Sequence, residues 1–151
     1  MNTIILKDFE LENYHTYNDF HNEIINRLSC DDGVKKYLGN LEYLITKIQQ
    51  RYQENFVDTL YLVYKEKKPI GIVTVCLRDE KYEIDCGILP EYRQKYYATI
   101  LLNEFTEYLF NKYQRLDKVY LQIDGANDKS KIVAARNGYI NEQGDLYYKS
   151  R

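Results

Sequence analysis

The sequence predicts a single α+β domain, residues 1–151, with a mixed, mostly antiparallel central sheet flanked by helices, and three observations carry that expectation. Stretches of Val, Ile, Leu and Tyr of strand length alternate with stretches whose apolar residues recur at helical spacing. Three of the strand stretches follow one another with only short polar turns between them, which makes them antiparallel neighbours. One strand–helix–strand crossover comes next and brings a parallel pair into the same sheet.

Thr3 to Phe9 reads as the first strand, with Ile and Leu at its centre. Asn13 to Leu28 carries Tyr14, Tyr17, Phe20, Ile24, Ile25 and Leu28, an apolar stripe of helical period that Asp31-Asp32-Gly33 ends. Val34 to Leu38 reads as a short helical turn closed by Gly39, and Leu41 to Gln53 as a further helix. The period then changes: Leu60–Tyr64, Ile70–Leu77 and Tyr82–Leu89 form a three-stranded meander through the turns Lys65–Pro69 and Arg78–Lys81. Ala98 to Tyr113 is the clearest helix, Val119–Ile123 a short buried strand and Asn127–Asn137 a last helix. Tyr139 to Lys149 closes the chain as a hairpin around Gln143-Gly144-Asp145. There is no repeat, low-complexity linker or other sign of a second domain.

Composition narrows the function classes. Hydrophobic residues make up 44% and charged residues 29%, an ordinary globular balance, whereas 17 tyrosines and no tryptophan are not. Many of those rings must reach the surface or a cleft, where their hydroxyls find partners. A formal net charge of −2 offers no basic field for a phosphate backbone, so no nucleic-acid partner is expected. Cys30, Cys76 and Cys86 have no metal-ligand spacing and form no closed disulfide set, so no metal is expected and a reducing, cytoplasmic setting suits them. Acids come early in MNTIILKDFELE and no apolar run reaches membrane length, so neither a signal peptide nor a membrane partner is expected. His15 and His21 fall in the first helix, facing solvent or filling its packing, and nothing in their spacing brings them to Cys76 or Cys86 as a hydrolase triad would need.

The chemistry concentrates between Ile88 and Thr99. A strand ends at Pro90, a polar turn follows and a long helix begins near Ala98. Helix N-termini expose unpaired N–H groups and a positive dipole end, and Arg93 and Lys95 add charge in the same turn, which suits a pyrophosphate. This segment resembles the acyl-CoA-binding motif of the GNAT N-acetyltransferase superfamily, with Arg93, Tyr96 and Ala98 at its marked positions. A second signature is similar too: Asn127 and Ser130, then Gly138-Tyr139. The opening half, through Leu6-Lys7-Asp8-Phe9 and Val34 to Gly39, resembles the RimJ/RimL-like branch. The resemblance is firm from Tyr82 to Tyr139.

It implies an N-acetyltransferase that takes acetyl-CoA as acyl donor and a primary amine as acceptor, a protein N-terminus or a small molecule. It implies cofactor contacts at Ile88, Leu89, Arg93, Gln94, Lys95, Tyr96, Tyr97, Ala98, Thr99, Asn127 and Ser130, with backbone N–H groups near Ile88 and Leu89 meeting the acyl carbonyl. Period two puts Glu83 and Asp85 on one strand face, as general bases or as a solvated face; the resemblance favours Glu83. It implies Ser130 as acid to the thiolate, although Asn127, Asp128 and Ser130 are also what helix capping selects. Substrate would enter over the helices between Asn13 and Gln53. Two positions depart from the pattern: Tyr96 replaces a glycine and Ala134 the usual catalytic tyrosine. Those departures leave a second reading, a binding or regulatory module that keeps the fold without the chemistry. A third is a structural protein forming a homodimer through strand edges and its tyrosine-rich surface.

Overall fold

A computed structural model describes residues 3–14, 18–32, 59–93 and 95–151. Strands β1 (Thr3–Ile5) and β2 (Glu10–Asn13) form an antiparallel hairpin. The single strand expected from Thr3 to Phe9 is thus corrected. The Leu6 N–H donates to the Phe9 carbonyl at 2.8 Å, closing a turn that leaves Lys7 and Asp8 exposed while Phe9 enters the core. Helix α1 (Asp19–Ser29) starts later than its apolar stripe suggested, because Asn13 belongs to β2 and Asn18 caps the helix by accepting the His21 N–H. The helices expected at Val34–Leu38 and Leu41–Gln53 lie outside the described residues.

The meander is as expected: β3 (Thr59–Lys65), β4 (Lys68–Arg78) and β5 (Lys81–Ile88), antiparallel throughout. Its turns are two-residue turns at Glu66-Lys67 and Asp79-Glu80, and all four residues hold positive φ, from 48° to 66°. That is the turn geometry whose twist matches the strands it joins. A 3₁₀ turn (Pro90–Tyr92) leads to α2 (Tyr97–Lys112), and β6 (Lys118–Gln122), α3 (Asp128–Arg136), β7 (Ile140–Gln143) and β8 (Leu146–Ser150) complete the chain. The eight strands make one sheet in the order β1-β2-β3-β4-β5-β6-β8-β7, with β5–β6 its parallel pair.

The sheet divides the core into two layers. Val73, Val75, Ile84 and Ile88 face α2, where Leu101, Phe105 and Leu109 pack on them. Leu60, Leu62, Ile72 and Leu89 pack beneath Ile24, Ile25 and Leu28 of α1. Each such side chain withdrawn from water stabilises the fold by roughly 1.5–3 kcal/mol, which holds β5 rigidly between the layers.

Candidate active site

The sheet parts beside β5. Eight residue pairs, from Gly71–Ile88 to Arg78–Lys81, join β4 to β5, whereas β5 and β6 register only at Glu83–Tyr120. The C-terminal half of β5 therefore has an edge that β6 has left. Alternate residues of an antiparallel strand direct their N–H groups to opposite sides. The Leu89 N–H donates to the Ile70 carbonyl at 2.8 Å, so that of Ile88 turns toward the parting. This corrects one expectation: Leu89 spends its N–H inside the sheet, and Ile88 is left to face the opening.

The turn after β5 is held by its own side chains. Arg93 donates through Nε to the Ile88 carbonyl at 3.0 Å and pairs with Asp31 at 2.7 Å. Arg27 of α1 pairs with Glu91 one turn away. Arg93, expected to offer its charge to a phosphate, clamps the turn to the chain beyond α1. Lys95 is exposed, with Nζ 5.9 Å from the centre of the Tyr92 ring. Gln94 lies outside the described residues.

Tyr96 precedes α2 in the left-handed conformation, φ 61° and ψ 13°, with no side-chain hydrogen bond capping the helix. Its ring points outward, 64% exposed, and the Arg136 guanidinium lies 5.1 Å from the ring centre. Tyr97 sets its ring edge-on to Phe9, and Ala98 and Thr99 are half-buried in the first helical turn. Because no side chain caps it and no acid lies in its first turn, the helix presents the N–H groups of Tyr97, Ala98 and Thr99 with their dipole intact.

Glu83 and Asp85 share the α1 face of β5, opposite Cys76 and Thr74 of β4. Burial raises the proton affinity of both. Asp85 is pushed up to about 6, with the Glu83 charge adding to the shift and Arg78 opposing it. The Glu83 carboxyl shifts upward as well, mainly by burial. Asp85 stands three residues before Ile88 and Glu83 five, so Asp85 is the nearer to the parting. Cys86 turns to the other face, against the α2 core.

Across the parting, Asn127 caps α3 by accepting the Ser130 N–H at 3.2 Å, so both residues have the capping role that was one of their two readings. Ala134 is fully buried in the α2 core. His21 is buried rather than solvent-facing, with Nε2 3.4 Å from a Glu12 carboxylate oxygen. Sequence reasoning passed over Asn137, whose side-chain amide donates to the Thr99 carbonyl at 3.1 Å and the Val133 carbonyl at 2.9 Å. It also passed over Thr74, whose partner strand position carries Asp85. Asn137-Gly138 after a helix is a recognisable C-terminal signal, but its reach to α2 is not local.

Against known proteins, the profile described as Acetyltransferase (GNAT) family matches residues 22–139. No curated protein matches the sequence significantly. Solved structures share the fold. The spermidine N-acetyltransferase of Vibrio cholerae, in complex with CoA and spermine, has a TM-score of 0.75 at 19% identity, over 95% of each chain. RimL, a ribosomal alpha-N-protein acetyltransferase in complex with coenzyme A, has a TM-score of 0.78 at 13% identity, over 99% of this chain and 98% of that one. The N-acetyltransferase PseH of Campylobacter jejuni, in complex with acetyl coenzyme A, has 0.67 at 19% identity, over 93% and 95%. At such identities the likeness is one of fold.

Proposed function

The chain belongs to the acetyltransferase (GNAT) family, and from that premise we propose that it transfers an acetyl group from acetyl-CoA to a primary amine by direct attack. The observation that carries this reading is the uncapped start of α2 beside the parted edge of β5. The first is an anion seat of the kind a diphosphate takes. The second offers the Ile88 N–H where a thioester carbonyl would lie, and one oriented donor of this type contributes about 2.7–4 kcal/mol to a developing oxyanion. Tyr96 supports the catalytic reading over an inert module, since its backbone keeps the left-handed turn that a glycine would supply and its ring leaves the turn open.

When bound, acetyl-CoA supplies the activated acetyl group. The chain's residues do the rest. Tyr97, Ala98 and Thr99 hold the diphosphate through backbone N–H groups, and exposed Lys95 adds charge. Ile88 orients the carbonyl. Asp85, its proton affinity raised by burial first and by the Glu83 charge after it, takes a proton from the incoming ammonium. Ser130, half-buried at the start of α3, is the side chain offered to the departing sulfur. A thiol near its ordinary pKa of about 8.5 leaves readily, so this last contribution is small.

Calorimetry with acetyl-CoA, followed by turnover on spermidine, an aminoglycoside and a peptide with a free N-terminus, tests the reading. Binding with acetylation of at least one amine is expected, and Glu83→Gln and Asp85→Asn should each slow turnover while the protein stays folded. No heat of binding and no thermal shift at millimolar acetyl-CoA would remove it.

A further inference from the structure

On the α1 face of the sheet lies a buried hydroxyl that no described residue satisfies. Thr74 is 1% exposed, and among the described residues its Oγ1 has no hydrogen-bond partner. Buried polar groups are almost always paired, so such an atom calls for an occupant beside it. The β4–β5 register sets Thr74 directly opposite Asp85, with Glu83 one pair further on the same face. Like Thr74, neither acid is held by a hydrogen bond or ion pair among the described residues. An orphan acceptor and two carboxyls therefore share one face of the sheet.

Their position is set by the strand. Asp85 and Thr74 lie three residues back from Ile88 and its N–H, about 10 Å at ~3.3 Å per residue. A carbonyl held by that N–H, the nitrogen that attacks it and the reach of the Asp85 side chain together fill such a span. An occupant meeting both Asp85 and Thr74 must donate to each, and a primary ammonium has three N–H donors and the complementary charge. A carboxylate or phosphate would be repelled. A hydroxyl would leave the acids' charge unmet.

Building on the acetyltransferase reading, we propose that Thr74 holds the acceptor nitrogen: its Oγ1 accepts one N–H of a primary ammonium while Asp85 receives the proton that must leave. The step then balances. The ammonium gives one proton to the Asp85 carboxylate, the freed lone pair forms the N–C bond, the C–S bond breaks, and the second proton that the amide nitrogen sheds passes to the departing thiolate. The N–H on Thr74 is kept until the bond has formed, so the lone pair points at the acyl carbon.

The test is Thr74→Val, which keeps the shape and removes the hydroxyl, beside Thr74→Ser, which keeps the hydroxyl. With spermidine as the probe amine, kcat/KM of Thr74→Val should fall at least tenfold and that of Thr74→Ser should stay within about threefold of wild type. Calorimetric affinity for acetyl-CoA should be unchanged in both, and Thr74→Val should melt no lower than wild type. A hydroxyl with only a packing role predicts the reverse order, with valine at least as active and stable as threonine; that result would overturn the proposal and leave the acetyltransferase reading standing. Wild-type protein that binds no acetyl-CoA would instead remove the reading itself.

Discussion

Tyr96 sits where the backbone needs φ of 61°, a conformation that disfavours any side chain by roughly 1–2 kcal/mol. What makes the tyrosine tolerable is where its ring goes. It leaves the turn, lies in solvent and faces Arg136, a contact of the order of 0.5–1 kcal/mol at an exposed site. Had the ring folded into the turn, Tyr96→Gly would tighten acetyl-CoA binding. With the ring outside, the substitution relieves strain but frees the unfolded chain by roughly 0.4–1 kcal/mol and loses the Arg136 contact. Stability should therefore change by less than about 1 kcal/mol and affinity by less than about threefold. Titration calorimetry and a urea midpoint read both quantities, and a tenfold gain in affinity would mean that the ring obstructs the phosphate turn after all.

At the scale of elements, the end of β5 is fixed by how closely β4 approaches it. A Cβ on Gly71 would come within 2.1 Å of the Gly87 carbonyl oxygen and 3.0 Å of the Ile88 Cα. Backbone cannot move aside cheaply, so Gly71→Ala should cost about 1–3 kcal/mol and lower the melting temperature by several degrees. The displaced strand end carries Ile88, so kcat should fall further than the stability loss explains; a fall in melting temperature with kcat intact would separate that end from catalysis. This close approach was not legible in the chain, because it depends on register between strands. What was legible is what local chemistry decides: the meander from its polar turns, α2 from its period, and α3 from Asn127 at one end and Asn137 at the other. The first hairpin was missed because Lys7-Asp8 reads as polar strand as well as it reads as turn. Arg93 shows a related limit. Its positive charge suggested an anion, and its pairing with Asp31, 62 positions away, could not be read from local spacing. Glu83 and Asp85 fell on one face as period two requires, but only register could bring Thr74 to them.

The molecule as a whole keeps near-neutral charge, 21 basic against 23 acidic residues, yet holds acids in its interior that folding would rather see protonated. Asp85 is raised from 3.8 to about 6. Glu104, half-buried on α2 with its carboxylate accepting the Asp8 N–H at 3.0 Å, is raised to about 7, by loss of water first and by Asp8 after it. For such groups the folded state binds the proton more tightly than the unfolded chain, so stability is greatest below the unfolded pKa and is lost as pH rises through the folded one. Glu91 runs the other way: its pairing with Arg27 lowers its pKa, so its contribution is present at neutral pH and disappears only on stronger acidification. Between pH 8 and 5 Asp85 and Glu104 therefore each add stability as the pH falls. Asp85→Asn isolates one of them, because subtracting its urea midpoint from that of wild type cancels every group not coupled to this carboxyl. An amide resembles the protonated acid, so the two proteins should match near pH 4, and the variant should become the more stable as pH rises through 6. The shift sets an upper bound of about 3 kcal/mol on that gap. A gap independent of pH, or a variant weaker at pH 8, would show that Asp85 is content as an anion in the folded protein. It would then have no unmet charge to offer an ammonium, whereas the expected gap is the stability the fold gives up to keep a proton acceptor beside Thr74.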